Sequence, residues 1–529
     1  MGGGWGPSGR VPGLSAIGRH VGHRDCTGSF LSPVIQVQHT RVVLRVALAA
    51  IVLGVFSHTR ADPDLWGHVR FGADIVAARS VHVADRYSFT SDRPWVNHEW
   101  LAEVTMAGAY GVGGGPGLIA LKVILLVAML TAVVWVCRRS QLADMPHDLL
   151  VGLVVFATVP QANHVRPQLF SLVLFAWLLA MLTVARGRPA YAWMSVPLMA
   201  VWANLHGGWL VGLAALTLWA AGSVIDAASA RERLRLAAIV LAAAAATLVN
   251  PYGWRLWMFL YDTVGLGRAD ISEWQPMTRA GYPVAIMWGI VAGAAVTGVV
   301  RSIADRRFDA RAIAVVALLA MMSFRVNRLL AFFGIATVIL VGPHVVAAFA
   351  RIPRSTRAAR QPAWPATAAA LAVGLLLATG GVAASVRNAG CVRMDLPIFP
   401  DASAAAAIAG RAVHGRMLTW FDWGEYALWH FSPAVAVSID GRRETVYSDA
   451  LIHQHLAFYF APAERQAVLA ALQPDYIWLP RELEITDRLV RDGWTPIVEG
   501  ERSVLLSKEA AARGVIRREM PGARCFPGP

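Results

Sequence analysis

The sequence predicts a mainly α-helical polytopic membrane bundle of about eleven spans with a C-terminal extracytoplasmic α/β domain. Composition is the first reason. Of the 529 residues, 56% are hydrophobic and only 16% are charged, whereas soluble proteins average about 25% charged residues. The second reason is that apolar stretches near the roughly 20 residues of a spanning helix recur along the chain. So much apolar surface also excludes a largely disordered chain.

The net charge of +14 raises the question of nucleic-acid binding, but the distribution of charge argues against it. Nearly all the basic residues are Arg, with Lys present only as Lys122 and Lys508. They lie mainly in short loops between apolar runs, which is the signal that orients membrane proteins. We therefore expect a lipid bilayer, and no nucleic acid, as a partner.

The predicted spans divide the chain into an N-terminal extension, a membrane core and a C-terminal domain. Residues 1–40 lack the apolar run of a signal peptide and are predicted to be a disordered cytoplasmic extension or a misassigned start. The membrane core is 41–387, and the C-terminal domain is 388–529. The predicted spans of the core are 41–59, 117–137, 147–160, 166–186, 190–204, 207–226, 234–250, 281–301, 310–323, 326–349 and 364–385.

Loop charge predicts the orientation. With a cytoplasmic N-terminus, every loop assigned to the cytoplasm is basic, and an odd number of spans leaves the C-terminal domain on the other side. Three long segments then lie outside: 60–100, 251–280 and everything after 387. The basic residues that define the cytoplasmic loops are Arg138, Arg139, Arg186, Arg188, Arg231, Arg233, Arg235, Arg301, Arg306, Arg307, Arg311, Arg351, Arg354, Arg357 and Arg360.

The C-terminal domain shows mixed helix and strand patterns. A helix is predicted at Ser403–Ile408, with Ser403 as its cap, before the apolar run 417–421. Further helices are predicted at 464–472 and 485–491, buried strands at 435–439 and 476–479, and a hairpin of strands 494–498 and 503–507. Cys391 and Cys525 flank the domain, and the sequence leaves open whether they form a disulfide or two free thiols.

Polar residues cluster in the first outside loop, 60–100. Asp62 and Asp64 follow directly after the first span, and His68 lies one helical turn after Asp64. A carboxylate at this position is suited to act as a general base, although helix caps and solvated charges are the plainer interpretation. The candidate catalytic residues of this loop are Asp62 and Asp64, and the candidate substrate-binding residues are His68, Asp85, His98 and Glu99.

Later outside loops add cations that run against the positive-inside trend, so orientation does not explain them. Arg binds phosphate through two hydrogen bonds, but structural ion pairs or headgroup contacts are equally compatible with these positions. These cations are Arg166, Arg325 and Arg328, and His206 and Glu273 of the same outside loops are further candidates for substrate binding. No CxxC or His/Cys cluster indicates a zinc site, and no cofactor is assigned, although a divalent cation is left open.

Several motifs together resemble the GT-C superfamily of membrane glycosyltransferases. They are Asp62-Pro-Asp-Leu-Trp, Asn97-His-Glu-Trp, Arg166-Pro-Gln, Asn204-Leu-His-Gly-Gly, Asn250-Pro-Tyr-Gly and Asp422-Trp-Gly-Glu-Tyr. The Asp-Pro start of the first loop is similar to that of oligosaccharyltransferase catalytic subunits. The layout of the whole loop resembles the lipid A aminoarabinose transferase and protein mannosyltransferase branch. The motif set as a whole looks like an uncharacterised bacterial group of the superfamily.

The resemblance implies transfer of a sugar from a polyprenyl-phosphate-linked donor to a glycan, lipid or protein acceptor. It implies an inverting displacement on the outer face of the bacterial inner membrane, with Asp62 or Asp64 as base. Arg325 or Arg328 would neutralise the leaving phosphate. The chain lacks the paired Asp-Glu of the better-known branches, so the resemblance does not decide which acid is the base. It also lacks their Trp-Trp-Asp acceptor signature, which argues against asparagine-linked glycosylation. The alternative is a non-catalytic protein of the same fold that binds lipid or glycan in envelope assembly.

Overall fold

The computed structural model describes residues 2, 33–140, 144–266, 268, 271–350, 364–394, 398–411, 413–509, 514–515 and 524–528. Most of the predicted extension 1–40 and the arginine-rich stretch 351–360 lie outside these ranges. Helices form the first two thirds of the chain. They are α1 Pro33–Ser57, α2 Leu65–Ala78, α3 Trp100–Arg139, α4 Asp144–Ala162, α5 Gln168–Ala185, α6 Ser195–Trp202, α7 Trp209–Asp226, α8 Ala230–Ala246, α9 Arg255–Val264, α10 Tyr282–Ala304, α11 Ala310–Arg325, α12 Leu330–Ala336, α13 Gly342–Ala350 and α14 Trp364–Ala389.

The protein is a multi-pass membrane protein. Among the described residues, seven helical segments are long and apolar enough to cross a bilayer: His39–Ser57, Trp100–Arg139, Gln168–Ala185, Trp209–Asp226, Tyr282–Ala304, Asn327–Phe349 and Thr367–Ala389.

Four of the eleven predicted spans, 147–160, 190–204, 234–250 and 310–323, do not reach this criterion although all four contain helix. Three of the helices concerned are short, since α6 has 8 residues, α8 has 17 and α11 has 16. At 1.5 Å per residue, each is shorter than a typical hydrocarbon core. The structure thus confirms a polytopic helical bundle, and the assignment of these four segments as spans stays a prediction.

The C-terminal α/β region, residues 391–528, contains a six-stranded mixed sheet in the order β3-β2-β4-β6-β5-β7. β2 pairs in parallel with β3 and β4, whereas β6 runs antiparallel to β4 and β5. A separate antiparallel pair joins β1 to β8. The elements are β1 Arg393–Met394, α15 Ala402–Gly410, β2 Gly415–Thr419, α16 Gly424–Phe431, β3 Val435–Val437, α17 Asp449–Phe460, α18 Arg465–Leu472, β4 Tyr476–Pro480, α19 Glu484–Arg491, β5 Thr495–Glu499, β6 Ser503–Ser507, β7 Gly514–Val515 and β8 Arg524–Cys525.

Most predicted elements of this region are confirmed within a residue or two, including the hairpin of β5 and β6. The predicted cap of the first helix is wrong. α15 begins at Ala402, and Ser403 lies inside it. Asp401 precedes the helix, but its carboxylate accepts hydrogen bonds from the N–H groups of Arg502 and Ser503 instead. The side chain therefore ties the start of the helix to the hairpin.

The first loop, residues 60–100, packs into the same hydrophobic core as the C-terminal α/β region. Trp66 of α2 lies 5.0 Å from Phe399 and 5.3 Å from Tyr426 between ring centroids. Residues 87–89 extend the sheet, because the N–H of Phe89 donates to the carbonyl of Val437 at 3.1 Å. The loop thus forms a layer between the membrane helices and the sheet.

A short extended segment, Thr59–Ala61, fixes the start of this layer. The N–H of Arg60 donates to the carbonyl of Asn163 at 2.8 Å, and the N–H of Ala61 donates to that of Arg393 at 2.7 Å. The fully buried Lys122 of α3 donates to the carbonyls of His58 and Ala162, each at 2.6 Å. These contacts hold the segment after α1 next to the loop between α4 and α5.

Cys391 and Cys525 form a disulfide, which settles the alternative that the sequence left open. The bond closes a loop over a sequence separation of 134 residues beside the β1–β8 pair.

Cys525→Ser should lower the free energy of unfolding by about 3 kcal/mol, because the unfolded chain loses a constraint. The measurement is thermal or denaturant unfolding in detergent micelles. Reductant should destabilise the wild type to a similar extent and leave the variant unchanged, and equal stability of both proteins would contradict the prediction.

Candidate active site

Four residues meet where the first loop faces the membrane helices, and we call them the arginine–carboxylate cluster: Asp62, Asp64, Arg166 and Glu273. Arg166 lies at the centre. Its Nη2 is 2.5 Å from Asp62 Oδ2 and 3.5 Å from Asp64 Oδ2, and its Nη1 is 2.8 Å from Glu273 Oε2. One guanidinium therefore joins three carboxylates from two loops, with Nη2 shared by the two aspartates and Nη1 bound to Glu273.

Local backbone structure places each member of this cluster. Asp62 follows the extended segment Thr59–Ala61, and its Oδ1 accepts a hydrogen bond from the N–H of Asp64 at 3.1 Å. Asp64 is the last residue before α2. Arg166 lies just before α5, where Pro167 ends the preceding loop, and Glu273 lies in the short 3₁₀ turn Ser272–Trp274.

The two aspartates of the cluster differ in environment. Asp62 is only 4% exposed, whereas the side chain of Asp64 retains 32% of its exposure. Burial alone would raise the pKa of Asp62, but the positive charges of Arg166 and His164 outweigh it and keep that pKa below its ordinary value. Desolvation and the negative charge of Asp62 raise the pKa of Asp64 to about 7. Asp62 is thus expected to stay ionised at neutral pH, whereas Asp64 gains and loses its proton near neutral pH.

A second group, the histidine cluster, contains His68, His98, Glu99 and His206. Glu99 Oε1 lies 3.6 Å from the Nε2 atoms of both His98 and His206. His68 Nδ1 lies 3.3 Å from Glu103 Oε1, a carboxylate that also accepts a hydrogen bond from the side-chain amide of Asn97 at 2.5 Å. The structure therefore brings together loop residues that are more than 100 positions apart in the chain.

Hydrogen bonds fix the protonation of the histidine cluster. His206 Nδ1 accepts from the N–H of Gly208 at 3.0 Å, so the ring proton lies on Nε2 and faces Glu99. Burial lowers the pKa of His206 to about 3, which keeps its ring neutral. Burial would raise the pKa of Glu99, but the positive charges of His98, His68 and Arg328 lower it overall. Within the described ranges, no group of three or more His, Cys, Asp or Glu side chains is arranged to hold a metal ion.

The two arginines predicted to bind phosphate lie in different surroundings. Arg328 donates from Nε to Gln168 Oε1 at 2.9 Å, and its guanidinium lies 5.7 Å from the ring centre of Trp274. Its two Nη groups form no hydrogen bond with the described residues. Arg325 ends α11 and is exposed, and no ion pair joins it to another described side chain. The structure thus places Arg328, and not Arg325, beside the arginine–carboxylate cluster.

Asp85 was predicted to bind substrate, and its contacts give it a different role. Its side chain is 1% exposed and accepts hydrogen bonds from Arg442 at 2.7 Å and from the N–H groups of Tyr87 and Ser88. Arg442 also pairs with Asp440 at 2.6 Å and lies within 5.2 Å of the ring centres of Phe71, Tyr87 and Trp95. This buried pair joins the first loop to the C-terminal α/β region and leaves no oxygen of Asp85 for a ligand.

Two acidic residues next to these clusters were not among the candidates drawn from the sequence. Glu103 lies on α3 one turn after Glu99, and the i, i+4 spacing was the available signal. Glu425 lies in the Asp422-Trp-Gly-Glu-Tyr motif, and its Oε2 accepts a hydrogen bond from the N–H of Gly67 at 2.9 Å. The motif was visible, but only tertiary structure places it against α2.

Comparison with known proteins identifies the fold. No family model and no curated protein matches the sequence. ArnT from Cupriavidus metallidurans in the apo state is similar in structure, with a TM-score of 0.52 and 12% identity over 91% of this chain and 99% of that one. The undecaprenyl-phosphate-bound form of ArnT has a TM-score of 0.48 at 12% identity over 92% and 100%. Arabinofuranosyltransferase AftD from Mycobacteria has 0.49 at 15% identity over 89% of this chain and 40% of that one.

The chain is a polytopic membrane protein with the GT-C fold. The likeness to apo ArnT covers almost the full length of both chains, so it includes the membrane helices and the C-terminal α/β region together. Because identity is low, it establishes the fold, and the chemistry has to be argued from the site.

Proposed function

We propose that the protein is a glycosyltransferase that moves a sugar from a polyprenyl-phosphate carrier to a hydroxyl acceptor on the extracytoplasmic face. The observation that carries the proposal is the arginine–carboxylate cluster, in which a proton-accepting acid lies beside cations at the boundary of membrane helices and loop. This is the pairing that phosphate departure and hydroxyl activation require. The fold shared with apo ArnT is consistent with it.

The proposed step is a single displacement. Asp64 accepts the proton of the acceptor hydroxyl while the acceptor oxygen bonds to the anomeric carbon. The bond from that carbon to the phosphate oxygen breaks, and the electron pair leaves with the lipid phosphate. Attack opposite the leaving group inverts the configuration at the anomeric carbon. Arg328 stabilises the negative charge that develops on the phosphate.

Asp64 is the better base of the two aspartates. Asp62 is buried, and Arg166 occupies its carboxylate at 2.5 Å, so the acid is hard to protonate and cannot meet an acceptor. Asp64 is partly exposed and has a pKa of about 7, which suits proton transfer at neutral pH. Asp62 and Glu273 then serve to hold Arg166, and Arg166 in turn orients Asp64.

The rate of transfer should fall as the pH drops below about 7. The pKa of Asp64 is raised to about 7, so the base is ionised above that pH and protonated below it. The rate should therefore decrease about tenfold per pH unit on the acidic side. The measurement is the initial rate in proteoliposomes at saturating donor between about pH 5 and pH 8. Glu482→Gln, a change at an exposed residue of the C-terminal α/β region, should leave the profile in place, and a flat wild-type profile would refute this role for Asp64.

Arg328→Gln should weaken binding of the lipid phosphate by about 10- to 100-fold, because one charge-assisted interaction is lost. The matched control is Arg325→Gln, which removes an equal charge three residues away at an exposed position. Binding of undecaprenyl phosphate to the purified protein is measured by native mass spectrometry or by quenching of tryptophan fluorescence. Equal affinities in the two variants would show that Arg328 does not bind the phosphate.

The alternative, a non-catalytic protein that binds lipid or glycan, makes a different prediction. Such a protein would bind undecaprenyl phosphate but would not transfer sugar from any carrier-linked donor, whatever residue occupies position 64. A binding assay and a transfer assay on the same preparation therefore separate the two functions.

A further inference from the structure

Glu425 is a buried acid of the C-terminal α/β region that faces the first loop. It lies in the first turn of α16 and is 3% exposed. Its Oε2 accepts one hydrogen bond, from the N–H of Gly67 in α2, and its Oε1 forms none with the described residues. A carboxyl group this deeply buried is costly unless its charge is neutralised.

Two glycines leave room for Glu425 to approach Asp64. A Cβ atom on Gly441 would lie 2.1 Å from Asp64 Oδ1 and 2.8 Å from Glu425 Oε1, so these two oxygens are within about 5 Å of each other. A Cβ atom on Gly67 would lie 2.2 Å from Glu425 Oε2. Any larger residue at either position would push the two carboxyl groups apart, so both glycines are needed for this approach.

Among the residues that the structure describes, no cation pairs with Glu425 alone. The charged groups that act on Glu425 are Asp64, Asp440 and Arg442. Arg442 already pairs with Asp440 and Asp85. Asp64 in turn is influenced by Asp62, Arg166, His68 and Asp422. Two carboxylates this close in a buried setting cannot both carry a negative charge without a large cost, so one retains a proton.

We propose that Glu425 keeps a proton and shares it with Asp64, so that the C-terminal α/β region contributes a positioning residue to the transferase site. This inference rests on the proposed function, in which Asp64 is the base. The protonated carboxyl of Glu425 donates toward the carboxylate of Asp64 and orients it for the acceptor hydroxyl. The direction of the electrostatics agrees, because burial and the charge of Asp64 hold the pKa of Glu425 well above its usual range.

Infrared spectroscopy tests this without an activity assay. Wild-type protein in detergent at about pH 8.5, where Asp64 is ionised, should show a carbonyl band of a protonated carboxylic acid that disappears in Glu425→Gln. The matched control, Glu482→Gln, changes an exposed glutamate and should retain the band. A band that persists in Glu425→Gln would overturn the proposal, because the proton would then belong to another group.

A second variant tests the sharing of the proton and keeps native Glu425, so it remains informative if Glu425→Gln does not fold. In Asp64→Asn the neighbouring negative charge is gone, and the band should titrate away at a pH lower by about one unit or more. An unchanged titration would overturn the proposed coupling. Failure of the proposed function would be distinguished from failure of the proton sharing by the transfer assay. Asp64→Asn would then transfer sugar at an undiminished rate, whatever the infrared result.

Discussion

Asp64→Asn is expected to lower the rate of sugar transfer by about a thousandfold, because an amide cannot accept the proton of the acceptor hydroxyl. The fold should survive, since Asn has the same shape and the side chain of Asp64 is partly exposed, with its ion-pair contact to Arg166 at 3.5 Å. The rate is measured in proteoliposomes with labelled sugars on a panel of polyprenyl-phosphate carriers. Binding of undecaprenyl phosphate, measured in parallel, should stay within about threefold of wild type.

The matched control for this variant is Asp262→Asn, an equal change at an exposed aspartate of α9. It should transfer sugar at the wild-type rate. A near-normal rate in Asp64→Asn would remove Asp64 as the base. Loss of binding together with transfer would instead assign Asp64 to the structure of the site.

Arg166→Gln has the largest expected effect on stability. It leaves Asp62, Asp64 and Glu273 without the guanidinium that joins them, and loss of one partner from a buried ion pair costs about 3–5 kcal/mol. Exposure of Glu273 and Asp64 moderates this, so we expect the lower end of that range. The free energy of unfolding is measured by thermal or denaturant unfolding in detergent.

The effect of Arg166→Gln should also depend on pH. Without the cation, the pKa of Asp62 in the folded protein rises, so the buried carboxylate destabilises the variant at neutral pH and takes up a proton as the pH falls. The loss of stability should therefore shrink toward acidic pH. Arg70→Gln is the control, because it breaks a surface pair with Asp74 on α2 that is worth about 0.3–0.5 kcal/mol. Equal losses in the two variants, or a loss that does not change with pH, would contradict this role for Arg166.

Local patterns predicted the elements of the chain well and the set of membrane crossings less well. The hairpin 494–507 and the strands at 435–439 and 476–479 were predicted because buried strands and turns carry local signals. Four predicted spans do not meet the length and hydropathy of a crossing helix, because an apolar stretch does not fix the length of the helix that forms in it, and α8 is 17 residues long.

The sequence predicted the candidate site only in part. Asp62 and Asp64 stood out because charge directly after a span is costly. Arg166 stood out because it opposed the orientation rule. Asp85 was selected because it lies in the same polar loop, but its carboxylate pairs with Arg442, a residue more than 300 positions away. Nothing local separates an acid that will be neutralised by a distant arginine from one that will face a ligand.

The sequence by itself determined that the protein lies in a membrane, that its C-terminal part is α/β, and that acids crowd the first loop, since each follows from composition or short-range periodicity. Only the tertiary structure decided that Arg166 joins three carboxylates, that Asp64 differs from Asp62 in exposure, and that the carboxyl groups of Glu425 and Asp64 both lie beside Gly441. Burial and distance between remote segments set the charge state of an acid, and neither is written in the residues adjacent to it.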